Sequence, residues 1–365
     1  MIGYMKRIFI IFFVSIFVST IASAEMADSL AVEEKPSFFE RVVEVVKDFS
    51  RIDTNYIEPQ HYNFSVMLQN TNTFESYTLR NKQGQELVLS PGTTVRVGPY
   101  FGWRWLFLGY TFDVSHFFDG HNRQDWNISL YSNQVGVDLF YRQTGDDYKI
   151  RVARLSEDFD IPGLKDLSFG GFSGSVKGFN LYYILNHKKF SYPAAFNQST
   201  CQKISCGSPL IGIGYTKHTL NLNVESLNET IEKYLGPGSA KIFPDDALIA
   251  SEVHFTDVSA YGGYGYNWVF AKNWLAAGSL SLGMSYKKTT GNTEKDGSLL
   301  RDFSFRNFNF DGVGRFGLVW NNTRWYAGSS IILHTYRYSE SQFSTNTLFG
   351  NLNFYFGYNF GKRKN

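Results

Sequence analysis

Apolar and aromatic residues recur at every second position along most of this chain, and the closing stretch shows it most plainly. Leu352, Phe354, Phe356, Tyr358 and Phe360 alternate with Asn351, Asn353, Tyr355, Gly357 and Asn359. A strand points successive side chains to opposite faces, so this segment predicts a strand with one aromatic face and one polar or small face. The same rhythm gives the rows Tyr62, Phe64, Val66 and Leu68; Leu106, Leu108, Tyr110 and Phe112; Val135, Val137, Leu139 and Tyr141; and Phe179, Leu181, Tyr183 and Leu185. Later rows are Val258, Ala260, Tyr264, Tyr266 and Trp268; Leu280, Leu282, Met284 and Tyr286; and Phe308, Phe310, Phe316, Leu318 and Trp320. Ser279, Ser281, Gly283 and Ser285 form the small, polar reverse of one of them.

Strands with one lipid-compatible face and one wet or polar face predict an all-β fold, an antiparallel transmembrane β-barrel of about 12 to 14 strands. Short turns at Gly102 to Arg104, Ala271 to Asn273 and Asn321 to Arg324 fall on the periplasmic side when counted back from a periplasmic C-terminus. Longer polar loops at Asp119 to Asp125, Thr289 to Arg301 and Ser339 to Asn346 then fall outside, as the architecture requires. Two segments leave the strand number open: Leu155 to Ser175, an outer loop or a hidden strand near Leu167 to Ser173, and Phe190 to Phe196, a further strand candidate.

The N-terminus supplies the address. Lys6 and Arg7, the apolar run Ile8 to Ile21 and Ala22-Ser23-Ala24 read as a signal peptide over residues 1–24. Residues 25–61 form a periplasmic segment in which Ser37-Phe38-Phe39-Glu40 fits a capping box and Phe39, Val42, Val43 and Val46 predict an amphipathic helix over 38–48. The barrel itself is expected over 62–361. Beyond the signal, no run approaches the roughly 18 apolar residues of a membrane helix.

Composition agrees: 34 Phe, 23 Tyr and 7 Trp suit the aromatic girdles of a barrel. Loss of Lys6 and Arg7 lowers the 35 basic residues to 33, equal to the 33 acidic ones, so nothing in the balance points to nucleic acid. Cys201 and Cys206, with four residues between them, predict a local disulfide in an oxidising compartment. Residues Ser226 to Leu235 predict a helix in the connection that precedes a strand from Glu252.

Candidate chemistry is sparse. Arg96, Asp113, Asp138 and Arg142 fall in the inward register as lumen-lining residues, either closing a network across the interior or screening a passing solute. His334 shares a register with Ser330, Tyr336 and Tyr338, and a lipid-facing pair of this kind would be the seat of a membrane hydrolase; no Gly-x-Ser-x-Gly elbow accompanies it. His116, Asp119, His121 and Asp125 offer nitrogen and oxygen ligands, though a solvated loop has the same composition. These readings give no catalytic residue, no metal and no cofactor.

Three segments carry a family resemblance: Asp53-Thr54-Asn55-Tyr56-Ile57 leading into Tyr62 to Asn70, Tyr100 to Asp113 around Phe-Gly-Trp-Arg-Trp, and Tyr182 to Ser199 with its Phe-Ser-Tyr-Pro-Ala-Ala-Phe run. Their order and spacing resemble a family of bacterial outer-membrane β-barrels known only as a domain of unknown function. The resemblance implies fold and location and carries over no catalytic residue. The expected protein is a barrel of the bacterial outer membrane, in contact with its lipids and with the barrel-assembly machinery during biogenesis. Its function is expected to be a narrow pore for small solutes, or else a closed structural or surface-interaction barrel, with a membrane-embedded hydrolase as a third reading.

Overall fold

A computed structural model describes residues 51–81, 84–103, 106–109, 112–114, 124–143, 148–156, 159–237, 252–290, 308–339 and 343–363. The expected signal peptide and the helix over 38–48 lie outside the described residues. Among the described residues, twelve strands form a closed antiparallel wall: Tyr62–Asn81, Thr94–Trp103, Leu106–Gly109 continued by Phe112–Asp113, Gln124–Tyr131, Val135–Gln143, Phe172–Ile184, Cys206–Leu222, Glu252–Ala271, Trp274–Thr290, Phe308–Asn321, Trp325–Ser339 and Phe343–Lys362. The two pieces of the third strand hold one register against their neighbour, with Tyr100 opposite Gly109 and Arg96 opposite Asp113. The last strand closes on the first along almost its whole length, from Phe343 opposite Asn81 to Lys362 opposite Tyr62. Closure leaves the seam with no unpaired edge, which is the condition for a sheet to exist in lipid.

Alternation explains the two faces. Phe64, Val66, Leu68, Leu139, Phe179, Leu181, Tyr264, Trp268, Leu280, Leu282, Phe310, Phe316, Phe354 and Phe356 are exposed on the outside. Their in-register neighbours Asp138, Asn180, Ser279, Ser281, Asp311 and Arg315 are buried inside. An apolar belt of this extent would be a severe liability in water and is neutral against hydrocarbon, so the wall is built for a bilayer.

Tight turns gather at the end of the barrel that carries the C-terminus. Ala271–Trp274 turns through Asn273 at φ 67° and Asn321–Trp325 through Thr323 at φ 73°. A left-handed β-branched residue is uncommon, and Thr323 is held there by its N–H donating to Asn321 Oδ1 at 2.8 Å and its carbonyl accepting from Asn359 Nδ2 at 2.7 Å. At the opposite end, strand pairing continues to Ser339 opposite Ser344, so the loop expected over Ser339 to Asn346 is shorter than the sequence suggested.

Of the two doubtful segments, the first holds the expected short strand and the second holds none. The region Leu155 to Ser175 holds the end of strand Tyr148–Ser156, which pairs with Glu86–Pro91, then a single helical turn Pro162–Leu164 and the short strand Ser168–Phe169 before the wall resumes at Phe172. These pieces carry Leu87, Leu89, Tyr148, Ile150, Leu164 and Phe169 into one buried cluster with Leu79, Phe172 and Leu220 of the wall. Helix Val224–Leu235, capped by Asn223 accepting from Ser226 N–H at 2.9 Å, adds Leu227 and Ile231. The barrel is therefore filled by an apolar core at the end away from the C-terminus. Phe190 to Phe196 is no strand: Pro193 starts a short helix, Tyr192–Phe196, whose Ala194 N–H donates to the capping Ser191 hydroxyl at 3.2 Å.

Gly136 stands where a Cβ would enter the ring of Tyr182, whereas Gly262 has open space around it. Gly136→Val is expected to destabilise the refolded barrel by about 1–3 kcal/mol, read as a lower urea midpoint, while Gly262→Ala leaves the midpoint unchanged.

Candidate functional site: the barrel interior

Among the described residues, ionic groups in the interior are assembled from different strands. Arg142 Nη1 lies 3.7 Å from Glu75 Oε2, Arg142 Nη2 donates to Asn351 Oδ1 at 3.1 Å, and the Tyr148 hydroxyl donates to Glu75 Oε1 at 2.7 Å. Asp138 accepts from Arg315 Nη2 at 2.6 Å, from the Tyr131 hydroxyl at 2.9 Å and from the Tyr182 hydroxyl. The Arg315 guanidinium also stacks 4.6 Å from the Tyr182 ring centre. Lys287 reaches Asp311 at 2.8 Å and Asp257 at 3.3 Å, with all three side chains fully buried. A buried charge is tolerable only with a close partner and further hydrogen bonds, and the Glu75 and Asp138 carboxylates have that arrangement.

Of the four residues proposed from sequence, Arg96 and Asp113 stand directly opposite one another on adjacent strands. Asp138 and Arg142 both face inward, but their partners are Arg315 and Glu75 rather than each other. Sequence reasoning missed Glu75, Asp257, Lys287, Asp311 and Arg315. The signal was present, since Asp311 and Arg315 fall between Phe310 and Phe316 in the register that must point inward.

The lipid-facing placement of Ser330 and His334 is corrected. Both are buried in the interior, where the His334 ring stacks on Phe349 with centroids 4.8 Å apart and Ser330 accepts from Asn353 Nδ2 at 3.3 Å. Apolar neighbours at Ile331, Ile332 and Leu333 obscure the alternation in this strand, and the register is fixed instead by pairing with Phe343–Lys362. His116, Asp119, His121 and the Asp125 side chain lie outside the described residues. Among the described residues no group of three or more His, Cys, Asp or Glu is placed to hold a metal.

The C-terminal end of the interior is occupied by the connection between strands Phe172–Ile184 and Cys206–Leu222. Phe190, Tyr192, Ala194 and Ala195 of this segment are buried against the inner wall. The hydroxyls of Tyr192 and Ser279 share a 2.7 Å hydrogen bond, Gln198 Nε2 donates to the Tyr355 hydroxyl at 2.7 Å, and Asn267 Nδ2 donates to the Ser191 carbonyl at 2.8 Å. Tyr192 also packs on Tyr131 and Tyr182, with ring centres 5.8 and 6.1 Å apart, and so touches the two tyrosines that bind Asp138. Farther along, strand Thr200–Gln202 pairs with Ile57–Pro59, which ties the incoming chain to the same segment.

Cys201 and Cys206 are free thiols, which corrects the expected disulfide. They belong to different parts of the fold. Cys201 sits in the short strand opposite Glu58, whereas Cys206 opens a wall strand opposite Asn267 and accepts from Asn186 Nδ2 at 3.3 Å. Burial pushes the Cys201 thiol up to about 12, so it stays protonated and unreactive at neutral pH.

Two outcomes follow from this geometry. Unfolding in denaturant without reductant is expected to release two titratable thiols, and in the folded protein alkylation of Cys201 should accelerate only as pH rises towards 12; no thiol on unfolding contradicts the free pair. Arg315→Met, which leaves Asp138 buried without its cation, is expected to cost about 3–5 kcal/mol by urea titration. Adding Asp138→Asn should recover much of that loss.

The Escherichia coli outer-membrane protease OmpT is 5% identical, with a TM-score of 0.35 over 82% of this chain and 97% of its own. The transport unit of the Escherichia coli autotransporter AIDA-I is 12% identical, with a TM-score of 0.32 over 81% and 90%. The Pseudomonas putida toluene transporter TodX is 9% identical, with a TM-score of 0.21 over 82% and 91%. Likeness at this level bears on neither activity nor solute. No curated protein sequence matches the chain. A family model described as a domain of unknown function, DUF4421, matches residues 51–360, and the chain belongs to that family.

Proposed function

We propose that this outer-membrane β-barrel is closed in its resting state and serves as a structural or surface-interaction body, with the outer connections making contacts. The observation that carries the reading is the segment Phe190 to Gln202 seated inside the C-terminal end, joined to the inner wall through Ser279, Tyr355 and Asn267. The apolar core at the other end and the paired charges between them leave the interior filled by the chain itself. Arg142 and Asp138 then act as parts of the packing rather than as a screen for solutes. The reading assigns no enzymatic role, since His334 is stacked among rings and Ser330 bonds to an asparagine.

A narrow pore remains the second reading, favoured by one observation: the polar contacts of the inserted segment with the wall are single hydrogen bonds between neutral groups, each worth only about 1 kcal/mol net, with no ion pair among them. Bacterial fractionation is expected to place the protein in the outer membrane. In planar bilayers the intact barrel is expected to be electrically silent, and deletion of residues 190–199 is expected to produce stable ohmic steps. Such steps from the intact protein would contradict the closed reading, and silence of a folded deletion variant would remove the plug from the account.

A further inference from the structure

The outward face of the seam between the first and last strands carries a concavity that the interior does not explain. An apolar groove of about 870 Å³ opens there, with Val66, Leu68 and Pro99 among its lining residues. Aromatic rings frame it in an unbroken series. Phe101 lies 5.9 Å from Phe64, Phe64 5.5 Å from Phe360, Phe360 6.2 Å from Tyr358, Tyr358 4.4 Å from Trp325 and Trp325 5.5 Å from Phe356. Short aliphatic side chains inside a frame of large rings make a trough, and its volume falls in the range of small-molecule sites, roughly 300–1,000 Å³.

One cation stands at the rim of this trough. Arg324, in the tight turn Asn321–Trp325, directs Nη2 and Nε at the Tyr358 hydroxyl, 2.7 and 3.2 Å away, and its guanidinium lies 5.4 Å from the Tyr358 ring centre. Tyr358 is itself a lining residue, so these contacts place the guanidinium beside the groove, and its five N–H donors are more than the Tyr358 hydroxyl uses. Arg324 is exposed, as is Lys362 at the same end of the barrel. An apolar trough ending at a held guanidinium matches one amphiphile: a chain of methylenes joined to a phosphate. A second copy fits less well, because a two-fold contact through this face would set concavity against concavity.

We propose that this groove binds an anionic phospholipid of the membrane leaflet at the C-terminal end, with an acyl chain along Val66 and Leu68 and the phosphate on Arg324. The site lies on the outside of the wall and is independent of whether the lumen conducts. Guanidinium–phosphate recognition is a charge-assisted contact, and loss of one in a partly desolvated rim is a change of about tenfold in affinity.

The test is native mass spectrometry of the detergent-purified full-length protein titrated with phosphatidylglycerol or phosphatidylethanolamine. The wild type is expected to retain phosphatidylglycerol preferentially. Arg324→Gln should weaken that retention about tenfold and erase the preference, and Leu68→Trp, which fills the trough, should reduce binding of both lipids. Leu282→Trp, on a distant part of the belt, should change nothing. Heat-modifiable gel mobility confirms that each variant has formed the barrel, and Val66→Phe replaces Leu68→Trp if that variant does not. Equal retention of the two lipids by the wild type, or undiminished phosphatidylglycerol binding in either groove variant, would overturn the proposal. Dimers cross-linked through Leu68→Cys in lipid would overturn it in favour of a second copy.

Discussion

The structure depends on one constraint: a closed wall one residue thick, whose side chains must face either hydrocarbon or a confined interior. The wall-strand charges Asp138, Asp257, Lys287, Asp311 and Arg315 all face inward, where each needs a partner from another strand. Asp138 and Arg315 satisfy that need across the lumen, with Tyr131 and Tyr182 completing the carboxylate's contacts. Because Tyr192 packs on both of those tyrosines, the same group that neutralises a buried charge also receives the inserted segment. Wall, ionic network and inserted segment thus share one set of contacts.

Filling comes from both ends. At the far end, strand Tyr148–Ser156 leaves the wall and pairs with Glu86–Pro91, bringing Tyr148 and Ile150 into a core with helix residues Leu227 and Ile231. At the C-terminal end the connection between two wall strands turns inward instead of crossing the membrane again. Pro193 and the Ser191 cap give it a compact helical start, and polar side chains of the inner wall supply its hydrogen bonds. Connections from both ends thus pack into the interior.

Much of this was legible in the sequence because alternation is a two-valued signal that survives without tertiary knowledge. Leu68, Leu185, Trp268, Met284 and Phe356, each from a different row, face outward as their spacing demands, and the short turns collect at the C-terminal end. What alternation does not encode is where a connection goes. Phe190 to Phe196 has the apolar content of a strand, but Pro193 and the inner wall make it a plug. Pairings across the lumen were equally hidden, since partners such as Asp138 and Arg315 are far apart in sequence and their strands are not neighbours. His334 was misplaced because three consecutive apolar residues precede it, which leaves the period of two undefined at that point.

The segment Phe190 to Gln202 is a packed part of the barrel interior, and the rest of the architecture turns on that. Hydrogen–deuterium exchange of the protein in lipid nanodiscs measures this directly. Amides across this segment are expected to be protected to nearly the same degree as those of the wall strands beside it, and to lose protection together with the wall on unfolding. Exchange of the segment at the rate of an exposed loop, with the wall still protected, would contradict it.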